Sequence, residues 1–259
     1  MALKEKIYCI VGYAVRAKRM YDKTHIAAYS AEAAFFVLVS AVPVMMLAII
    51  MLGILEPFDI TGINRLLRQI FAEKLSAQMT EIATEIAVHS TIPLMSAAML
   101  FLLWAATRGI RSIADGIAVV YGTAGRYGII KLAVRSMAFL AVVLVAAMVA
   151  VPLAFSLFKL RWAVIYGMLT LLFSVAYFIL AESGLTFKQN LYGGAFAAGG
   201  WVVFSFGYSV YIRHFSKYSL LYGSLGAVML FMLWLYMCMN ILLCGALFNK
   251  MRKERGKCD

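Results

Sequence analysis

The sequence predicts an all-α, polytopic membrane protein: six transmembrane helices, with amphipathic helices at the N-terminus and on the extracytoplasmic side. Three observations predict it. The first is the apolar excess: 64% of the 259 residues are hydrophobic and 14% charged, with a mean hydropathy of +0.89. Soluble domains run at about 45–50% apolar and about 25% charged, and a fold of this size in water cannot hide so much apolar surface. The second is the arrangement of that surface in six runs long enough for a hydrocarbon core of about 30 Å, which takes about 20 residues of helix. The third is charge placement. Lys and Arg (24) outnumber Asp and Glu (12), and they cluster at the ends of the apolar runs. A basic excess in a soluble chain suggests nucleic acid; at the ends of apolar runs it suits anionic lipid headgroups, at about 1 kcal/mol per residue.

Residues 1–25 form a cytoplasmic amphipathic helix. Leu3, Ile7, Ile10, Val11 and Ala14 make one stripe, with basic residues such as Lys6, Arg16 and Arg19 elsewhere, the pattern of a helix lying in the membrane interface. It is not a signal peptide, because the basic region is too long and the apolar run that follows is a full span. Residues 26–249 form the transmembrane domain. Its first span runs from about Ile26 to Leu55 and can kink at Pro43. Within residues 56–89, Ile63, Leu66, Leu67, Ile70 and Phe71, then Met79, Ile82 and Ile86, recur at helical spacing among mixed charges, predicting extracytoplasmic amphipathic helix. The second span covers about Ser90 to Thr107, the third Ser136–Phe158, the fourth Trp162–Ala181 and the fifth Asn190–Ile212.

The sixth apolar run, Tyr218 to Asn249, is longer than a bilayer is thick. It must tilt, protrude, or start with non-helical backbone at Tyr222-Gly223-Ser224. In the last case Ser224 would open a helix whose positive end faces whatever precedes it. A basic cytoplasmic tail, residues 250–259, closes the sequence. With the N-terminus inside, seventeen of the 24 Lys and Arg fall on the cytoplasmic side, so the positive-inside rule puts both termini in the cytoplasm. The expected location is the inner, cytoplasmic membrane of a bacterial-type cell.

In the fifth span, Gly193/Ala197 and Gly194/Ala198 have small-xxx-small spacing, which lets a neighbouring helix approach closely; close packing is preferred here over a mobile hinge. Polar groups within the spans are the candidates for function, since a charge at a helix centre costs about 2.5–3.5 kcal/mol on insertion scales. Glu32 either faces the bundle interior, where desolvation raises its pKa, or sits near the cytoplasmic interface paired with a Lys or Arg. Arg108, Arg111 and Asp115, at spacings of three, four and seven, share one helical face if the second span continues as helix to Tyr121. Two planar guanidiniums there suit a phosphate-bearing headgroup; the plainer reading is a topological anchor with an Arg111–Asp115 pair. Ser40, Asn190, Tyr222, Ser224 and Asn240 either line a polar pathway or, the simpler reading, hydrogen-bond neighbouring helices.

No catalytic or metal-binding set emerges. Cys9, Cys238, Cys244 and Cys258 have no paired spacing, and His25, His89 and His214 are scattered. Nucleotide-loop, zinc-hydrolase and nucleophile-elbow motifs are absent, as is an acidic pair for a two-metal nuclease. The expectation is a non-enzyme with no cofactor. Its expected partners are anionic lipid headgroups and, beyond them, a second copy of the chain or other envelope proteins, but not nucleic acid.

Three segments carry a family resemblance. The first span, Ala28 to Pro43, resembles an alanine- and aromatic-rich segment ending in Ser-x-x-Pro. Trp104-Ala-Ala-Thr-Arg108-Gly109 resembles a Trp-to-Arg-Gly step. Tyr222-Gly-Ser-Leu-Gly-Ala with Trp234, Tyr236, Asn240 and Gly245-Ala246 resembles a long C-terminal signature. By these the chain resembles the YihY/virulence factor BrkB family, historically labelled ribonuclease BN, over nearly its whole length. The resemblance implies six spans and envelope-related biology and brings no settled reaction or catalytic side chain. Two positions depart from the pattern: Glu32 stands where a neutral residue is expected, and Leu247 where the signature has Glu. The leading expectation is a multi-span envelope protein that binds or moves an anionic, lipid-like substrate and supports envelope integrity. The rival is a structural or assembly factor that moves nothing, and a ribonuclease comes last.

Overall fold

The computed structural model describes residue 12 and residues 15–55, 92–124, 131, 134–139, 141–143, 145–146, 161–180, 184–215 and 219–255. The extracytoplasmic amphipathic segment expected at 56–89 lies outside the described residues, as do most of the third span and the end of the basic tail. Regular structure among the described residues is helical throughout: α1 (residues 15–23), α2 (Ile26–Leu55), α3 (Ile92–Tyr121), α4 (Arg161–Leu180), α5 (Phe187–Phe215) and α6 (Ser219–Arg255), with further helical residues between 134 and 146. Among the described residues, three stretches are long and apolar enough to cross a membrane: Trp162–Leu180, Phe187–Ile212 and Val228–Glu254. Large apolar side chains such as Val203, Phe206, Val228, Met229 and Leu233 point outward, as a hydrocarbon solvent requires.

Helix ends follow local chemistry. The α1–α2 turn is closed by the Thr24 hydroxyl, which donates to Met20 O at 2.8 Å, and His25 takes a left-handed φ of 50°. This conformation is uncommon outside glycine, though His is among the residues that adopt it. At the end of α3, Gly122 has φ 76°; its N–H bonds Val119 O at 3.1 Å and Thr123 N–H bonds Ala118 O at 2.8 Å. This paired reversal is a Schellman motif, which satisfies carbonyls the helix would otherwise orphan. At the start of α5, Thr186 N–H donates to Gln189 Oε1 at 3.1 Å, half of the capping box that Thr-x-x-Gln encodes.

The chain divides into two compact units, residues 1–36 with 107–259, and residues 37–106. In the second unit the Phe101 and Trp104 rings lie 5.5 Å apart, and Ser40 Oγ donates to Val37 O at 2.8 Å within its own helix. In the first unit α5 packs against both α4 and α6. Its small residues divide between these neighbours. A Cβ on Gly193 would strike Asn249 and the Gly245 carbonyl of α6, and one on Gly194 would strike Ser174 and Thr170 of α4. Further along, Phe173, Trp201 and Trp234 form a run across α4, α5 and α6 with centroids 5.1 and 6.2 Å apart.

α6 corrects one expectation. It is a single helix through Tyr222-Gly223-Ser224, so the non-helical start is not formed, and Ser224 does not open a helix. Glycine in a helix costs only about 1 kcal/mol against alanine, too little to break a run this apolar. At 37 residues α6 is about 55 Å long, which leaves tilt or protrusion. α2 likewise runs unbroken through Pro43.

Candidate functional site

α3 is helical from Ile92 to Tyr121, well past the apolar run that ends at Thr107. Arg108, Arg111 and Asp115 therefore share a face. Arg108 is exposed, and the Arg111 and Asp115 side chains are 42% and 44% exposed, with Arg111 Nε 3.8 Å from Asp115 Oδ2. A pair this long and open is weak, of the order of the 0.3–0.5 kcal/mol typical of i,i+4 pairs.

The first turns of α2 complete the face. Ser112, the buried residue after Arg111, has two acceptors within reach of its one hydroxyl proton, Tyr29 O at 3.0 Å and Glu32 Oε2 at 3.1 Å. Glu32 does not face the bundle interior, and no Lys or Arg pairs with it among the described residues. Its side chain is exposed, and its close partner is a hydroxyl. The approach is tight because Gly116, one residue after Asp115, has no side chain. A Cβ there would lie 3.0 Å from Leu243 of α6 and 3.1 Å from the Tyr29 Cβ. Partial burial pushes the Asp115 carboxyl above the usual aspartate value, Arg111 pulls it back, and Glu32 pushes it up again. The result is a surface with two guanidiniums and two carboxylates, one carboxylate on each of two helices.

The remaining candidates do not join this face. Asn240 accepts a hydrogen bond from the Tyr21 hydroxyl of α1 at 3.0 Å. Burial raises the Tyr21 pKa, and the bond to Asn240 partly offsets this. Asn190 is fully buried at the start of α5; its Oδ1 accepts from Tyr121 OH at 3.5 Å and its carbonyl from Asn249 Nδ2 at 3.3 Å. Asn249 also accepts from Gly193 N–H at 2.7 Å, so one amide bridges two backbone groups of α5. The side chains of Tyr222 and Ser224 lie outside the described residues. Sequence reasoning missed Ser112, Tyr21, Tyr121 and Asn249. Of these, Asn249 lies close to a sequence signal, three residues after the Gly245-Ala246 step of the C-terminal signature. Among the described residues, no three His, Cys, Asp or Glu side chains gather as metal ligands, and Cys238 and Cys244 are free thiols.

Apolar helices of membrane-crossing length, outward-facing hydrophobic side chains and interhelical polar bonds define a helical membrane protein. The chain belongs to the family described as virulence factor BrkB, whose profile matches residues 17–258. A UPF0761 membrane protein of Kangiella koreensis is 24% identical over 241 residues, 88% of this chain and 60% of its own length. The ribonuclease-like protein YfkH of Bacillus subtilis is 32% identical over 98 residues, 38% of this chain and 36% of its own. A UPF0761 membrane protein of Paraburkholderia xenovorans is 33% identical over 75 residues, 29% of this chain and 17% of its own. The chain thus spans at most 60% of the length of these relatives. No solved structure matches.

Proposed function

We propose that the chain is a six-span protein of the cytoplasmic membrane, with both termini in the cytoplasm, that binds or translocates an anionic, lipid-like substrate through the Arg108/Arg111 face. One observation carries this reading: α3 extends past its apolar run, so Arg108, exposed, and Arg111, half-exposed, share one face at the end of that run. Guanidinium forks match phosphate oxygens in pairs, and their stems lie well along apolar surface, which suits a headgroup whose tails remain in the bilayer. Anionic lipids are the partners this implies. The name borne by YfkH suggests ribonuclease chemistry instead. A metal-dependent nuclease needs gathered carboxylates or histidines, and this face offers Glu32 and Asp115 beside two cations.

The test is translocation of a labelled phosphatidylglycerol in proteoliposomes, with Arg108→Ala as control. The chain is expected to speed the lipid's appearance in the opposite leaflet, and Arg108→Ala to abolish the gain. Equal rates for both proteins and for empty vesicles would leave the rival reading, a structural factor of the envelope that moves nothing.

A further inference from the structure

One arginine of the face already carries a carboxylate of the chain, and a second carboxylate stands beside it. Arg111 is engaged by Asp115 at 3.8 Å, and Glu32 is held against the same turn by the buried Ser112 hydroxyl at 3.1 Å. An anion reaching Arg111 meets both negative charges, and like charges at such range oppose binding unless one is neutralised.

We propose that this site takes its anion together with a proton: the ligand's oxygens displace Asp115 from Arg111, and the freed Asp115 carboxylate, facing Glu32, is protonated from the aqueous phase. The inference rests on the reading of Arg108 and Arg111 as an anion site and adds its regulation. The balance is simple. One carboxylate becomes one carboxylic acid, the proton comes from water or buffer, and the negative charge lost at Asp115 is replaced by that of the ligand.

The groups that surround Asp115 bear this out. On its own helix it faces Arg111, with Arg108 one turn further back; from α2 it faces Glu32; from α6 the side chain packed at Gly116 is the uncharged Leu243. Among the described residues the cation paired with Asp115 is thus the one the ligand engages, and the carboxylate of Glu32 stays beside it. Both influences then favour the neutral acid, and partial burial already tilts Asp115 that way. The buried Ser112 hydroxyl, 3.1 Å from Glu32 Oε2, keeps that carboxylate beside this turn.

By linkage, a site that gains one proton with its ligand binds more tightly as pH falls, by at most about tenfold per pH unit. The pH interval runs between the Asp115 pKa in the free site and its higher pKa in the complex. A suitable probe is dihexanoyl phosphatidylglycerol, a phosphodiester that does not itself titrate there, with sulfate as a free anion. Titration calorimetry on the full chain in phosphatidylcholine nanodiscs, in two buffers of different ionisation enthalpy, counts the protons taken up. Expected are proton uptake in the interval between the two Asp115 pKa values, binding that tightens as pH falls through it, and an Asp115→Asn variant that binds tightly with no pH dependence. Preference for the lipid over sulfate assigns a headgroup and equal affinity a free anion, and proton uptake in either arm supports the coupling. Identical heats in both buffers with a flat pH profile overturn the proposal, and the calorimetry needs no variant to show it. An Asp115→Asn variant that keeps the wild-type pH slope overturns it as well. Failure to bind either probe, or binding unchanged in Arg111→Ala, removes the anion-site reading itself and this coupling with it.

Discussion

At Arg108 two demands on a cation can be separated by one substitution. A topological anchor needs only positive charge, and the positive-inside rule counts Lys and Arg alike. A headgroup site needs two N–H donors in a plane, which Lys lacks. Arg108 is exposed and open to a ligand, and Arg111, half-exposed on the same face, becomes available once Asp115 is displaced from it. Arg108→Lys is therefore expected to impair lipid translocation nearly as much as Arg108→Ala, with expression and membrane insertion near normal. Full activity in the Lys variant would reduce the residue to an anchor. Ser112 offers a companion measurement. Ser112→Ala removes the hydroxyl that holds Glu32, at a cost of about 1 kcal/mol in stability, and is expected to weaken the dependence of anion binding on pH. An unchanged pH profile would show that Glu32 is held by other means.

Among the elements, α5 shows most directly how composition becomes packing. Its glycines are not equivalent. A Cβ on Gly194 would strike Ser174 and the Thr170 backbone of α4, whereas one on Gly207 meets nothing within 4 Å. Gly194→Ala is expected to lower stability by about 1–3 kcal/mol, and Gly207→Ala to be neutral or stabilising by up to about 1 kcal/mol. Thermal unfolding of the two variants in detergent checks both, and similar melting temperatures would mean that α4 and α5 do not approach as described. A second comparison concerns α1. Arg16 reaches Glu254 at 3.0 Å, but both side chains are open to solvent, whereas Tyr21 OH to Asn240 is partly buried. Arg16→Ala is expected to shift stability by less than about 1 kcal/mol. Tyr21→Phe should cost about 1 kcal/mol or more, because an acceptor is left without its donor. A larger effect at Arg16 than at Tyr21 would reverse this ranking.

For the molecule as a whole, the open question is how often the chain crosses the membrane. The described helices include three of crossing length and composition, and α2 and α3 each hold an apolar run besides. Six crossings put a reporter fused after Lys257 in the cytoplasm and reporters near Glu73, Arg161 or Lys217 outside. A cytoplasmic signal at Glu73 would remove the first two crossings, and with them the position of Arg108 at a membrane boundary.

Much of the architecture was legible in the residues because it is local. Hydropathy measures transfer into lipid, a property of each segment alone, so the apolar helices could be read directly. The common face of Arg108, Arg111 and Asp115 follows from 3.6 residues per turn once α3 is helical to Tyr121. The stop at Gly122 and the start at Thr186-x-x-Gln189 also rest on local turn and cap chemistry. What the tertiary structure alone decided is which polar group meets which. Glu32 meets Ser112 across 80 positions, Asn249 meets Gly193 across 56, and Tyr21 meets Asn240 across 219. Those pairings depend on how far each helix is rotated and slid against its neighbour. Steric fit sets that register, through contacts such as Gly193 on Gly245 and Gly116 on Leu243. Spacing along one helix carries no information about it.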